Sequence, residues 1–148
     1  MKVAVLGAKG RMGAECVAAI NAASDLTLTA ALDLGDSLDQ LLSSGAEIVV
    51  DFTTPESVMK NLEFAINNGI HVVVGTTGID EGKLKQLKEL LSKKPSVGAL
   101  IAPNFGLGAV LMMQFSSTAA KYFESVEIVE MHQLSALKMD PVPYPAIE

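Results

Sequence analysis

The chain has 148 residues, 49% hydrophobic and 19% charged, a composition too apolar and too weakly charged for a disordered polypeptide. Eleven basic and 17 acidic residues give a net charge of −6, with no clustered positive charge of the kind that grips a nucleic-acid backbone. The length suits one domain with a single sizeable core, and no apolar run approaches the ~20 residues of a membrane span.

Taken in chain order, the opening Lys2-Val3-Ala4-Val5-Leu6 is a short apolar strand. The glycine turn Gly7-Ala8-Lys9-Gly10-Arg11-Met12-Gly13 follows it, where a secretion signal would have a cleavage site. Met12, Cys16, Val17, Ala19 and Ile20 then recur at helical spacing. Residues 26–32 alternate leucine and alanine with threonine, a strand ending at Asp33, and a short helix is expected over 37–44. Residues 47–52 form a third strand, β-branched and nearly all apolar, as in the interior of a parallel sheet. Thr53 or Thr54 is expected to cap the next helix, with Pro55 in its first turn, Val58, Leu62, Ala65 and Ile66 on its apolar stripe, and Asn68-Gly69 as its stop. His71-Val72-Val73-Val74 leads to Gly75-Thr76-Thr77-Gly78, and Asp80 caps a helix running to Lys93 whose lysines make a solvated face. A fifth strand over 97–102 ends at Pro103-Asn104-Phe105. A helix from Gly108 to Phe123 and a sixth strand over 126–131 complete the alternation.

Strands alternating with helices imply an α/β fold, a doubly wound, Rossmann-like parallel sheet of six strands with helices on both faces. Its expected strand order is 3-2-1-4-5-6. Residues 1–132 make one dinucleotide-binding domain. Residues 133–148, with Pro141, Pro143 and Pro145, are an irregular tail or the remnant of a linker to a substrate domain. One cysteine and two histidines offer neither a disulfide nor a metal cluster, so no metal and a reducing, cytoplasmic setting are expected.

The glycine turn sits between a strand and a helix, the context in which such spacing binds a dinucleotide. Gly7 permits the tight turn, Gly10 lets the backbone approach a diphosphate, and Gly13 allows helix to pack on strand. The helix N-terminus offers unpaired amides and partial positive charge. Asp33, twenty residues beyond Gly13, is placed to hold the adenosine ribose hydroxyls. Its carboxylate repels a 2′-phosphate, which favours NADH, whereas Lys9 and Arg11 would tolerate NADPH. On the expected strand order, the Gly7–Gly13 and Gly75–Gly78 loops flank the crevice, with Ala102, Pro103, Asn104 and Phe105 beside them. Thr76 and Thr77 would offer two hydroxyls to the nicotinamide end. His132 has a side chain suited to proton transfer, although a histidine at a strand end is more often incidental than catalytic.

Residues 5–13, 49–53, 68–78 and 101–105 together make the chain resemble the 4-hydroxy-tetrahydrodipicolinate (dihydrodipicolinate) reductase family of bacterial lysine and diaminopimelate synthesis. The glycine loop and the Asp33 strand end are similar to its actinobacterial branch. The resemblance implies hydride transfer from NADH or NADPH to a cyclic imine dicarboxylate. It implies cofactor contacts from Gly7, Ala8, Lys9, Gly10, Arg11, Met12, Asp33, Gly75, Thr76, Thr77, Ala102, Pro103, Asn104 and Phe105. It also implies an acid/base role for His132, reached through Glu130-Met131. Beyond His132 the match ends. Gln133 stands where the family has a second histidine, Lys138 reaches the position of the proton-donating lysine only with two inserted residues, and no Ser-Gly-Thr follows. The partners implied are a small dicarboxylate and a second copy of the chain, with neither nucleic acid nor membrane. The chain alone is expected to bind cofactor and turn over poorly or not at all. Two alternatives are a noncatalytic nucleotide-binding module and a reductase of a different imine or aldehyde with Lys138 as donor.

Overall fold

The computed structural model describes residues 1–102, 104–125 and 127. It divides into two compact units, Met1–Asn104 and Phe105–Glu148. The first contains β1 (Lys2–Leu6), α1 (Arg11–Ala22), β2 (Thr27–Leu32), α2 (Asp39–Ser43), β3 (Ile48–Asp51), α3 (Val58–Asn67), β4 (His71–Val74), α4 (Glu81–Ser92) and β5 (Ala99–Ile101). The second, in its described part, is the helix α5 (Leu107–Ala120). The sixth strand expected over 126–131 lies almost entirely outside the described residues, which contain a five-stranded sheet.

All strand pairs are parallel, in the order β2-β1-β3-β4-β5. The expected order 3-2-1-4-5-6 is therefore corrected: β3 is inserted between β1 and β4, and β2 is the edge. The physical reason lies in the side chains. Ile48-Val49-Val50-Asp51 is apolar almost throughout and buried over its last three residues, so β3 needs neighbours on both sides. Thr27 and Ala31 leave β2 partly in solvent, which an edge strand tolerates.

Strand alternation sends side chains to two cores. Ala4, Leu6, Val49, Val72 and Val74 meet Leu41, Val58, Leu62, Ala65, Ile66 and Leu87 of α2, α3 and α4. On the opposite face Val3, Val5 and Val50 meet Ile20, Cys16 and Val17 of α1. Helices on both faces make the sheet doubly wound. The helix ends are less uniform than expected. Asp80 caps α4, its carboxylate accepting from the Lys83 N–H at 2.8 Å, and Asn68 and a left-handed Gly69 (φ 80°) stop α3. Neither Thr53 nor Thr54 caps α3, however. Its N-cap is Ser57, preceded by a turn in which the Ser57 and Val58 amides donate to the Thr54 carbonyl. Thr53 is drawn instead to Asp51, as described below. Among the described residues, no helix is long and apolar enough to cross a membrane.

Candidate functional site

The sheet register aligns the strand ends in one row: Leu32 beside Leu6, Leu6 beside Asp51, Asp51 beside Val74, and Val74 beside Ile101. Because the strands are parallel, the turns after them leave from a single edge. Asp33, Gly7, Phe52-Thr53, Gly75 and Ala102 thus follow one another at roughly 4.8 Å per strand. The helices depart to opposite faces after β1 and β3, so the crevice opens between these two strands and not between β1 and β4.

Gly7 has φ 73°, and a Cβ there would collide with the Phe52 carbonyl group, its carbon only 2.8 Å away. Gly13 is equally constrained, since a Cβ would lie 2.7 Å from the Gly7 carbonyl carbon. These two glycines press the start of α1 onto the turn. Gly10 is the N-cap, donates its N–H to the Gly7 carbonyl at 3.0 Å, and has no side chain to cap the first-turn amides. The first turn carries no acidic residue, so the positive end of the helix dipole is not offset from within that turn.

The loop is tied to β2 by two bonds. The Ala8 N–H donates to the Leu32 carbonyl at 3.0 Å, and the Lys9 N–H donates to Asp33 Oδ2 at 2.7 Å. The Leu34 N–H donates to Asp33 Oδ1 at 2.8 Å. These bonds from Leu34 and Lys9, reinforced by the charge of Lys9, hold the Asp33 carboxyl below the usual aspartate range. Asp33 remains half-exposed, and each oxygen keeps a lone pair for a further donor such as a ribose hydroxyl.

Asp51, at the end of β3, is fully buried and collects four side-chain and backbone donors. Oδ1 accepts from the Thr53 N–H at 2.9 Å, Thr53 Oγ1 at 2.6 Å and Thr76 Oγ1 at 2.7 Å, and Oδ2 accepts from Asn61 Nδ2 at 2.9 Å. All of these partners are uncharged. Asp51 and Asn61 were not among the expected site residues. Their signal is a polar residue where periodicity asks for an apolar one: a carboxylate closing a buried strand, and an asparagine between Val58 and Leu62 on the inner stripe of α3.

The loop after β4 is therefore arranged differently from the expectation of two free hydroxyls. Thr76 is 6% exposed with its hydroxyl turned in to Asp51, and only Thr77 is exposed. The loop is fastened from outside as well, where Lys83 Nζ donates to the Pro55 and Gly78 carbonyls, both at 2.8 Å. Ala102 follows β5 and donates its N–H to the Val74 carbonyl at 2.9 Å. Asn104 closes the first unit and Phe105 opens the second. Pro103, His132 and Lys138 lie outside the described residues.

An open groove of about 790 Å3 lies at the opposite, N-terminal edge of the sheet, between Met1, Glu47, His71 and Leu100. Two of its polar atoms are already engaged: a Glu47 oxygen accepts the Lys2 N–H at 2.7 Å and His71 Nδ1 accepts the Gly98 N–H at 2.8 Å. Among the described residues, no group of three or more His, Cys, Asp or Glu side chains could hold a metal ion.

Residues 1–105 match the family model described as "Dihydrodipicolinate reductase, N-terminus". The chain is 56% identical over 132 residues to the 4-hydroxy-tetrahydrodipicolinate reductase of Mycolicibacterium vanbaalenii, covering 89% of this chain and 54% of the relative. It is 58% identical over 132 residues to that of Streptomyces griseus subsp. griseus, covering 89% and 53%. The chain thus spans about half the length of the curated relatives it matches. Among solved structures, the dipicolinate-bound dihydrodipicolinate reductase from Paenisporosarcina sp. TG-14 superposes with a TM-score of 0.73 at 28% identity, covering 83% of this chain and 54% of that one. A myo-inositol 2-dehydrogenase from Lactobacillus plantarum, 12% identical, shares the fold with a TM-score of 0.63 over 81% of this chain and 42% of that one.

Proposed function

The chain belongs to the dihydrodipicolinate reductase family, and from that membership we propose that it is the cofactor-binding part of a reductase that converts 4-hydroxy-tetrahydrodipicolinate to tetrahydrodipicolinate with NADH. One observation carries the reading: a glycine loop at an acid-free helix N-terminus, tied by its Lys9 amide to the Asp33 carboxylate on the neighbouring strand. The residues present fit a dinucleotide. The space at Gly10 is bare of side chain, the first-turn amides of α1 have no side-chain cap, and a carboxylate stands one strand away.

In this reading residues 1–132 form the cofactor domain. The backbone of residues 7–12 holds the diphosphate, Asp33 the adenosine ribose, and residues 75–77 with 102–105 the nicotinamide end. When bound, the nicotinamide supplies a hydride equivalent. Asp33 disfavours a 2′-phosphate by charge repulsion, while the side chains of Lys9 and Arg11 admit NADPH as the weaker alternative. His132 handles a proton on the dicarboxylate, with Lys138 as the proposed donor, and the full reductase works as a homo-oligomer in the cytoplasm.

Isothermal titration with NADH tests the first half. Saturable binding is expected, and no heat of binding at millimolar cofactor refutes it. A reductase assay of the full reductase on the enzymatically generated imine tests the second, where NADH-dependent reduction is expected and its absence overturns the assigned reaction.

A further inference from the structure

Asp51 takes no part in the cofactor contacts just proposed, although it closes the strand beside the glycine loop. Its surroundings are unusual for a core position. A fully buried carboxylate receives four hydrogen bonds and faces no cationic partner among them. An apolar side chain would fill the same space without the desolvation that a carboxylate suffers. What the carboxylate does that an apolar group cannot is join loops. One oxygen, Oδ1, accepts from Thr53 in the loop after β3 and from Thr76 in the loop after β4, and Oδ2 draws in Asn61 from α3.

Resting on the cofactor reading above, we propose that Asp51 is a positioning residue for the nicotinamide end of the site, holding residues 75–77 against the loop after β3 through the inward hydroxyl of Thr76. The order along the sheet edge supports this. Asp33 follows β2, the diphosphate loop follows β1, and the next turns outward are those after β3 and β4. A dinucleotide anchored at the first two positions extends its other end over the last two. With Thr76 fixed inward, its neighbour Thr77 is left on the exposed side. The contact between Gly7 and the Phe52 carbonyl links this hub to the diphosphate loop, so both halves of the site share one frame.

The test compares two ligands, NADH and ADP-ribose, which share the adenosine and diphosphate and differ in the nicotinamide. Both are titrated into the wild-type chain and into the Thr76→Val, Thr76→Ser and Asp51→Asn variants, with thermal melts alongside. Thr76→Val removes one hydrogen bond to a carboxylate and is expected to weaken NADH about tenfold while ADP-ribose stays within about twofold. Thr76→Ser restores the hydroxyl and NADH affinity. Asp51→Asn, if it folds, follows Thr76→Val. Equal loss of both ligands in Thr76→Val would mean a structural role only, and unchanged NADH affinity would mean none. Either result overturns the proposal while the cofactor reading stands. Wild-type protein that binds neither ligand overturns the reading itself, and the proposal with it.

Discussion

At the scale of single residues, two glycines of one loop make separable demands. Gly7 is left-handed and abuts the Phe52 carbonyl, so Gly7→Ala combines backbone strain with a clash against a rigid strand end. It is expected to destabilise the chain by about 2–4 kcal/mol, seen as a lower midpoint in denaturant, and to abolish NADH binding. Gly10 sits at φ −69°, which any residue adopts, and a Cβ there would approach only the Gly7 carbonyl oxygen, at 3.2 Å. Gly10→Ala should therefore cost about 1 kcal/mol in the melt yet weaken NADH more than roughly tenfold, because the methyl group occupies the cradle. Asp33 gives a pH signature. Its folded-state pKa is lowered, so its contribution is complete above the unfolded value and is lost as pH falls through the folded one. NADH affinity measured from neutrality downward should begin to fall at a lower pH than an ordinary aspartate would dictate. Asp33→Asn should remove this protection and narrow the gap between NADH and NADPH.

At the scale of elements, α4 is the one described helix whose N-cap side chain bonds a first-turn amide. Asp80→Ala deletes the bond from the Lys83 amide and should cost about 1 kcal/mol, read as a lower melting temperature. The substitution also acts at a distance from its own helix. Lys83 bridges the Pro55 and Gly78 carbonyls from the same first turn, so loosening that turn slackens the outer fastening of the loop after β4. The start of α3 illustrates why caps are hard to assign from composition. Thr53 and Thr54 have the right chemistry, but Asp51 competes for the Thr53 hydroxyl and takes it at 2.6 Å. A hydroxyl caps a helix by accepting an amide, and Thr53 Oγ1 is instead held inward, donating to Asp51 and accepting from Asn61 Nδ2 at 3.2 Å, while Ser57 at the N-cap makes no side-chain cap bond, its hydroxyl turned to Thr54.

At the scale of the whole molecule, ligand and fold are linked by mass action. NADH at a hundred times its dissociation constant should stabilise the chain by about 2.7 kcal/mol, raising the melting temperature by an amount on the order of 10 °C. The increase should keep growing with the logarithm of cofactor concentration above the dissociation constant and be absent for Gly7→Ala. Cys16 reports on the same equilibrium. Burial pushes its thiol above the ordinary range, so alkylation at neutral pH should be slow in the folded chain, slower still with NADH, and rapid in denaturant.

The residues alone determined a great deal here. Glycine spacing after an apolar strand, the carboxylate at Asp33 and the alternation of strand and helix specify a parallel sheet and the edge where a nucleotide would lie, because each is a local signal read within a turn or two of chain. The tertiary structure decided which strands are neighbours. The threonines of β2 and the unbroken Ile-Val-Val of β3 carried that information, but only as relative burial, which acquires meaning once all strands compete for the interior of one sheet. It decided also that Thr76 faces inward and that Asp51 and Asn61 meet beneath the loops. Those contacts join residues 10 and 25 positions apart, and no local pattern records a hydrogen bond across such a distance.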